Sequence, residues 1–73
     1  MDIEKANREA TERMIEALLF ASAEPVSTAE LTRRLPDGSD VAEALMHLRS
    51  RYAGRGVTVV KVGDGWAMRT APD

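Results

Sequence analysis

The side chains able to do chemistry are few and scattered through the 73 residues. His47 is the single histidine, and there is no cysteine. Acid–base work or metal ligation needs convergent partners. At helical spacing His47 has Glu43, Ser50 and Arg51 beside it, which reads as the solvated face of a helix. One histidine without cysteine makes no zinc-ligand set. Asp37, Asp40 and Glu43 are close in sequence, but helix capping and the favourable field of a helix N-terminus account for them. Ser22, Ser27, Ser39 and Ser50 have no base in a triad pattern. Gly63-Asp64-Gly65 is too short for a phosphate loop and lacks the Lys-Ser/Thr that would follow. The expectation is a chain without catalysis, cofactor or metal.

Basic residues form the second candidate set. Arg49, Arg51, Arg55, Lys61 and Arg69 are the positions that would touch nucleic acid. The formal net charge of −2 does not favour a polyanionic partner, although a local patch is compatible with it. With only Phe20, Tyr52 and Trp66 aromatic, a base-stacking platform is not expected.

These side chains must be placed by a small scaffold. At 44% hydrophobic and 30% charged residues the chain reads as one soluble domain with a thin stability margin. Its longest apolar run, Ala17 to Ala21, is far short of a bilayer span. The mixed charges from Asp2 to Arg13 do not form a secretion signal, and the lack of cysteine is compatible with a reducing compartment.

A first helix is expected to end near Ala23, because Pro25 disfavours helical geometry at Glu24. Met14, Ile15, Leu18, Leu19 and Ser22 form its expected core stripe. Glu4 with Arg8 and Glu9 with Arg13 are charge pairs that would extend it towards Met1. Ser27-Thr28-Ala29-Glu30 is a capping box that opens a second helix, with Leu31 and Leu35 on one face and Pro36 as its stop. Asp40 and Glu43 repeat that spacing and open a third helix, whose apolar stripe is Val41, Ala44, Leu45, Leu48 and Tyr52. Gly54 and Gly56 release the chain into Val57-Thr58-Val59-Val60-Lys61-Val62, a β-branched strand. Gly63-Asp64-Gly65 turns it, and Trp66 to Thr70 returns. Pairing should end before Pro72.

Three helices followed by a hairpin is the order of a winged helix-turn-helix, an α+β, mostly α fold. In that fold the third helix reads DNA, chiefly through its N-terminal residues. Here those are Asp40, Val41, Ala42 and Glu43, and two carboxylates suit a phosphate-lined groove poorly. Protein contact has better support. Ile3, Ala6, Ala10, Ala17, Phe20 and Ala21 form a second apolar stripe on the first helix. Val57 and Val59 point to one side of the wing, and Val60 and Val62 to the other, so both sides require cover. Trp66 and Met68 suit either core or interface. The candidate self-association set is Ile3, Ala17, Phe20, Val57, Val59 and Met68. A chain that stops just after a strand is expected to be part of a longer one.

The segment Ile15-Glu16-Ala17-Leu18-Leu19-Phe20-Ala21-Ser22-Ala23-Glu24-Pro25-Val26-Ser27 resembles the opening of bacterial segregation and condensation protein B, ScpB. Tyr52-Ala53-Gly54-Arg55-Gly56-Val57 and the return strand from Gly65-Trp66 to Thr70 resemble the same family, so the likeness runs over about residues 12–73. The resemblance implies a winged-helix domain over 12–73, preceded by a helical extension or flexible tail over 1–11. It also implies a second winged-helix domain in the natural protein. It further implies a homodimer that holds the kleisin ScpA, and through it the SMC ATPase, in the complex that condenses and segregates chromosomes. On that reading the protein is cytoplasmic and nucleoid-associated, with no membrane contact and little direct DNA contact. The alternative is a DNA-binding winged-helix transcription regulator.

Overall fold

A computed structural model describes residues 3–71. Three helices precede a hairpin, in the order α1 (Ile3–Ala21), β1 (Val26–Ser27), α2 (Thr28–Arg34), α3 (Val41–Arg51), β2 (Val57–Val62) and β3 (Gly65–Thr70). This is the winged-helix order, with one element that the sequence pattern does not announce. The two-residue β1 pairs antiparallel with β3, Val26 opposite Trp66 and Ser27 opposite Gly65. The wing is therefore a three-stranded sheet in the order β1-β3-β2.

Local chemistry sets the helix boundaries. The Ser27 side chain accepts from the Glu30 backbone N–H at 3.1 Å, and Asp40 does the same for Glu43 at 3.0 Å. Each satisfies a donor that the first turn leaves free. The Glu30 carboxylate does not reach back to complete the box; it is held by Arg33 and Arg34 on the following turn. In the hairpin Val62 faces Gly65 across a two-residue turn, Gly63-Asp64. Gly63 has φ of +62° and Asp64 is not in the left-handed region, the pattern of a type II′ turn, whose twist matches the flanking strands. Gly65 serves a different purpose. A Cβ there would stand 3.0 Å from the Pro25 Cβ, so glycine lets the chain entering β1 lie against β3 without Pro25 having to give way.

The core is Ile15 and Leu19 from α1, Leu31 and Leu35 at α2, Val41, Ala44, Leu45 and Leu48 from α3, and Val59 from β2. Leu18, Val26, Tyr52, Trp66 and Met68 pack around it. The α3 stripe is as the spacing predicts. The α1 stripe is rotated. Thr11 and Glu12 are buried with Ile15 and Leu19, whereas Met14 and Ser22 are exposed. Burial of the two polar residues is tolerable because each is engaged. The Thr11 hydroxyl donates to the Asn7 carbonyl at 2.9 Å, and Glu12 meets Arg51. Ser22 caps the outer side by donating to the Leu18 carbonyl at 2.7 Å.

The helix ends at Ala21, two residues short of the expected Ala23. The expected pair of Glu9 with Arg13 is not formed. The side chain of Glu4, and Met1, Asp2, Pro72 and Asp73, lie outside what is described.

Candidate interaction surfaces

The six positions of the candidate self-association set do not form one surface. Ile3 and Phe20 are 69% and 81% exposed, and Ala17 is exposed between them on the same side of α1. Ala6 and Ala21 are exposed at compatible helical spacing and Ala10 is half-buried. This face is open because α1 packs on α3 and the sheet with its Ile15–Leu19 side. An aromatic ring that stays in water forgoes about 1.5–3 kcal/mol of transfer free energy. A cluster of such residues marks a contact surface more often than a lone one does.

The hairpin members lie elsewhere. Val59 is 1% exposed, and its placement is a correction to its role as a surface contact. Strand alternation turns it, with its partner Met68, onto the helices, where it fills the centre of the core. Met68 is half-buried against that core, and Val57 is 38% exposed at the base of the wing. Val60, Val62 and Ala67 are half-buried on the opposite sheet face.

The five basic candidates also fail to converge. The Arg51 guanidinium lies 3.1 Å from Glu12, and the Arg55 guanidinium lies 5.8 Å from the centre of the Tyr52 ring. Both therefore have structural work. Lys61 shares a sheet face with Trp66, and Arg69 lies opposite Thr58 on the other face, so the two wing charges diverge. Arg49 is exposed on α3, far along the helix from the acidic residues of its first turn. Those acidic residues, Asp40 and Glu43, stand where a DNA reader presents base-contacting side chains.

His47 lies 3.6 Å from Glu43 on the exposed side of α3. Among the described residues no three histidine, aspartate or glutamate side chains gather as a metal site.

A polar seam that the sequence pattern does not reveal joins α1 to α3. Arg8, Glu12 and Glu16 follow one another at i, i+4 spacing, and meet Glu43, Arg51 and Tyr52 respectively. Arg8 reaches Glu43 at 3.4 Å, and the Tyr52 hydroxyl donates to the Glu16 carboxylate. That hydrogen bond, together with desolvation, pushes the Tyr52 pKa up. On α2 the hydrogen bond from Arg34 outweighs desolvation and, with Arg33, draws the Glu30 pKa down. The i, i+4 run of charges on α1 was the available signal for this seam. Its partners are 35 or more residues away, so spacing alone could not name them.

The second surface missed by the pattern is on α3, where Met46 is 72% exposed beside Trp66. Ala42, Met46 and Arg49 follow helical spacing and form that side. Among the described residues no helix is long and apolar enough to cross a membrane.

Comparison with known proteins agrees with this architecture. A solved structure, the crystal structure of a conserved hypothetical protein from Chlorobium tepidum, superposes with a TM-score of 0.76 at 28% identity, over 93% of this chain and 45% of that one. A segregation and condensation protein B from Desulforamulus reducens is 36% identical over 69 residues, covering 90% of this chain and 38% of the relative. Another, from Syntrophotalea carbinolica, is 40% identical over 63 residues, covering 82% of this chain and 32% of the relative. The chain thus spans about a third of the length of these two relatives. The family model described as segregation and condensation complex subunit ScpB matches residues 13–73. With that match over most of its length, on a winged-helix fold, this chain belongs to the ScpB family.

Proposed function

We propose that this chain is a self-associating winged-helix unit of a subunit that works without catalysis in chromosome condensation and segregation. Two copies join through the outer face of α1, along which Ile3, Ala17 and Phe20 lie. The observation that carries this reading is Phe20, 81% exposed on a helix whose opposite side is already packed. The unit comprises residues 12–73, and the turns of α1 that precede it, from Ile3, lengthen the joining face. A second winged-helix domain follows in the full-length protein.

In this reading the dimer holds the kleisin ScpA, which links it to the SMC ATPase, in the cytoplasm at the nucleoid. The acidic opening of α3 and the divergence of Lys61 and Arg69 support a protein partner over a DNA duplex. The mechanism is stoichiometric, since the dimer sets the spacing of two partner sites.

Light scattering over a concentration series tests self-association. The expected result is a mass that rises to twice that of one chain. A strictly monomeric chain at high micromolar concentration would overturn it. Titration with duplex DNA at several salt concentrations tests the regulator alternative, for which tight binding with a steep salt slope, lost when Arg49 and Lys61 are changed, is the signature.

A further inference from the structure

The side of α3 away from Glu43 and Arg51 forms a groove with the wing. Thr28, Ala42, Leu45, Met46, Arg49 and Trp66 line it, and its volume is about 210 Å³. Small-molecule sites typically run from about 300 to 1,000 Å³, so this groove suits a single large side chain better than a metabolite. Its walls are apolar, with one fixed and one adaptable member. The Trp66 indole N–H donates to the Thr28 hydroxyl at 3.2 Å, which holds the ring in place. Met46, 72% exposed, has a flexible thioether that can fold over an incoming group.

Arg49 is the one charged side chain that lines the groove. No carboxylate lines it. Arg49 is exposed at its edge and has no ion pair among the described residues. Lys61 is the cross-strand neighbour of Trp66 on the same sheet face, and is likewise exposed without an ion pair there. Glu30, the acidic residue on the neighbouring α2, is already held by Arg33 and Arg34. Asp64, in the hairpin turn, is the one acidic group close in sequence to Trp66. In a chain of net charge −2, Arg49 and Lys61 set two unpaired cations beside an apolar cleft. A duplex fits poorly, because Ala42 and Met46 stand where base-reading polar groups would be needed.

We propose that this groove docks an acidic segment of a partner protein. The segment inserts one large apolar side chain between Met46 and Trp66 and sets carboxylates against Arg49 and Lys61. Complementary charge at the rim orients the segment, and the buried anchor supplies most of the affinity. The site is separate from the α1 face and does not depend on self-association.

Trp66 is the only tryptophan and forms a wall of the groove, so its fluorescence responds to what binds there. The test pans random twelve-residue peptides displayed on phage against the chain, then titrates the enriched peptides as synthetic probes. The expected consensus is one large apolar residue flanked by Asp or Glu. These peptides shift Trp66 emission saturably, R49E weakens them by about 10-fold or more, and M46E weakens them without changing circular dichroism. F20E leaves their affinity unchanged, which separates this site from the self-association face. No enrichment, a basic or uncharged consensus, or binding indifferent to both R49E and M46E would overturn the proposal. So would a Trp66 shift that follows protein concentration and vanishes with F20E, because the groove would then belong to a second copy.

Discussion

Glu12 and Arg51 join the first helix to the third at 3.1 Å, with the Glu12 side chain 5% exposed and the Arg51 side chain 51% exposed. The oxygen nearest Arg51 lies off the line of a good hydrogen bond and has no other partner. The contact is therefore a charge pair set at the edge of the core. Its main effect is to make the buried carboxylate tolerable.

Removing Arg51 should consequently cost more than removing the pair. R51M is expected to destabilise the fold by about 1–3 kcal/mol, below the usual 3–5 for a fully buried pair because half of Arg51 is in water. The double replacement E12M/R51M is expected to be close to wild type. Urea unfolding of the four members of the cycle measures the coupling. Strict additivity would show that the pair does not interact.

The two perturbed groups make opposite pH predictions. The folded-state pKa of Tyr52 is raised, chiefly by its hydrogen bond to Glu16. Its contribution is fully present below the unfolded value of about 10 and is lost as pH rises through the folded one. Glu30 has a lowered folded-state pKa, chiefly through Arg34. Its contribution is present above the ordinary carboxylate range and is lost as pH falls through the folded value. Thermal melts across pH should show both limbs, with Y52F flattening the alkaline one and E30Q reducing the acid one. A Y52F protein with an unchanged alkaline limb would remove Tyr52 as its cause.

Phe20 and Leu48 should separate association from folding. F20E is expected to leave unfolding free energy within about 0.5 kcal/mol, as for an ordinary surface change, while abolishing the dimer. L48A, at a position 1% exposed, is expected to cost about 2–5 kcal/mol through lost burial and the cavity left behind. Sedimentation and denaturation of the two variants check both. Unfolding of F20E would place that ring in the core.

Gly63 tests the wing turn. With φ at +62°, a β-branched residue there costs about 1–2 kcal/mol, and asparagine is tolerated better. G63V should lower the denaturation midpoint and G63N should recover part of the loss. Equal midpoints would mean that the turn adopts another conformation.

Much of the fold is legible in short-range chemistry. Ser27 and Asp40 act as caps over three residues, and the α3 stripe needs only an apolar repeat. The hairpin follows from six β-branched-rich positions before a glycine turn. Long-range pairings were hidden for a physical reason. Thr11 and Glu12 look solvated until their partners are known, so the buried stripe of α1 lies further from Met14 than the apolar spacing predicts. Strand β1 has two residues and no periodicity of its own. Among candidate contacts, exposure of Ile3, Ala17 and Phe20 agrees with a second apolar stripe. Val59 was misplaced because valines on both sides of a strand do not say which side meets the helices. Met46 carries no such signal, because the apolar cleft it lines is completed only by Trp66, which is distant in the chain.

The pairing of Val26 and Ser27 with Trp66 and Gly65 also bears on how the molecule assembles. It closes a loop of about 40 residues, whose entropic cost must be met before the short ladder forms. The hairpin can fold by itself only marginally, so its docking waits for the helices, and the linker after α1 waits for the hairpin. The wing and the α1–α2 linker therefore behave as one clasp, which opens or shuts as a unit. A partner that shifts the wing at Trp66 tugs on the start of α2 through Thr28, and amide exchange at Val26 should slow in step with that at Trp66.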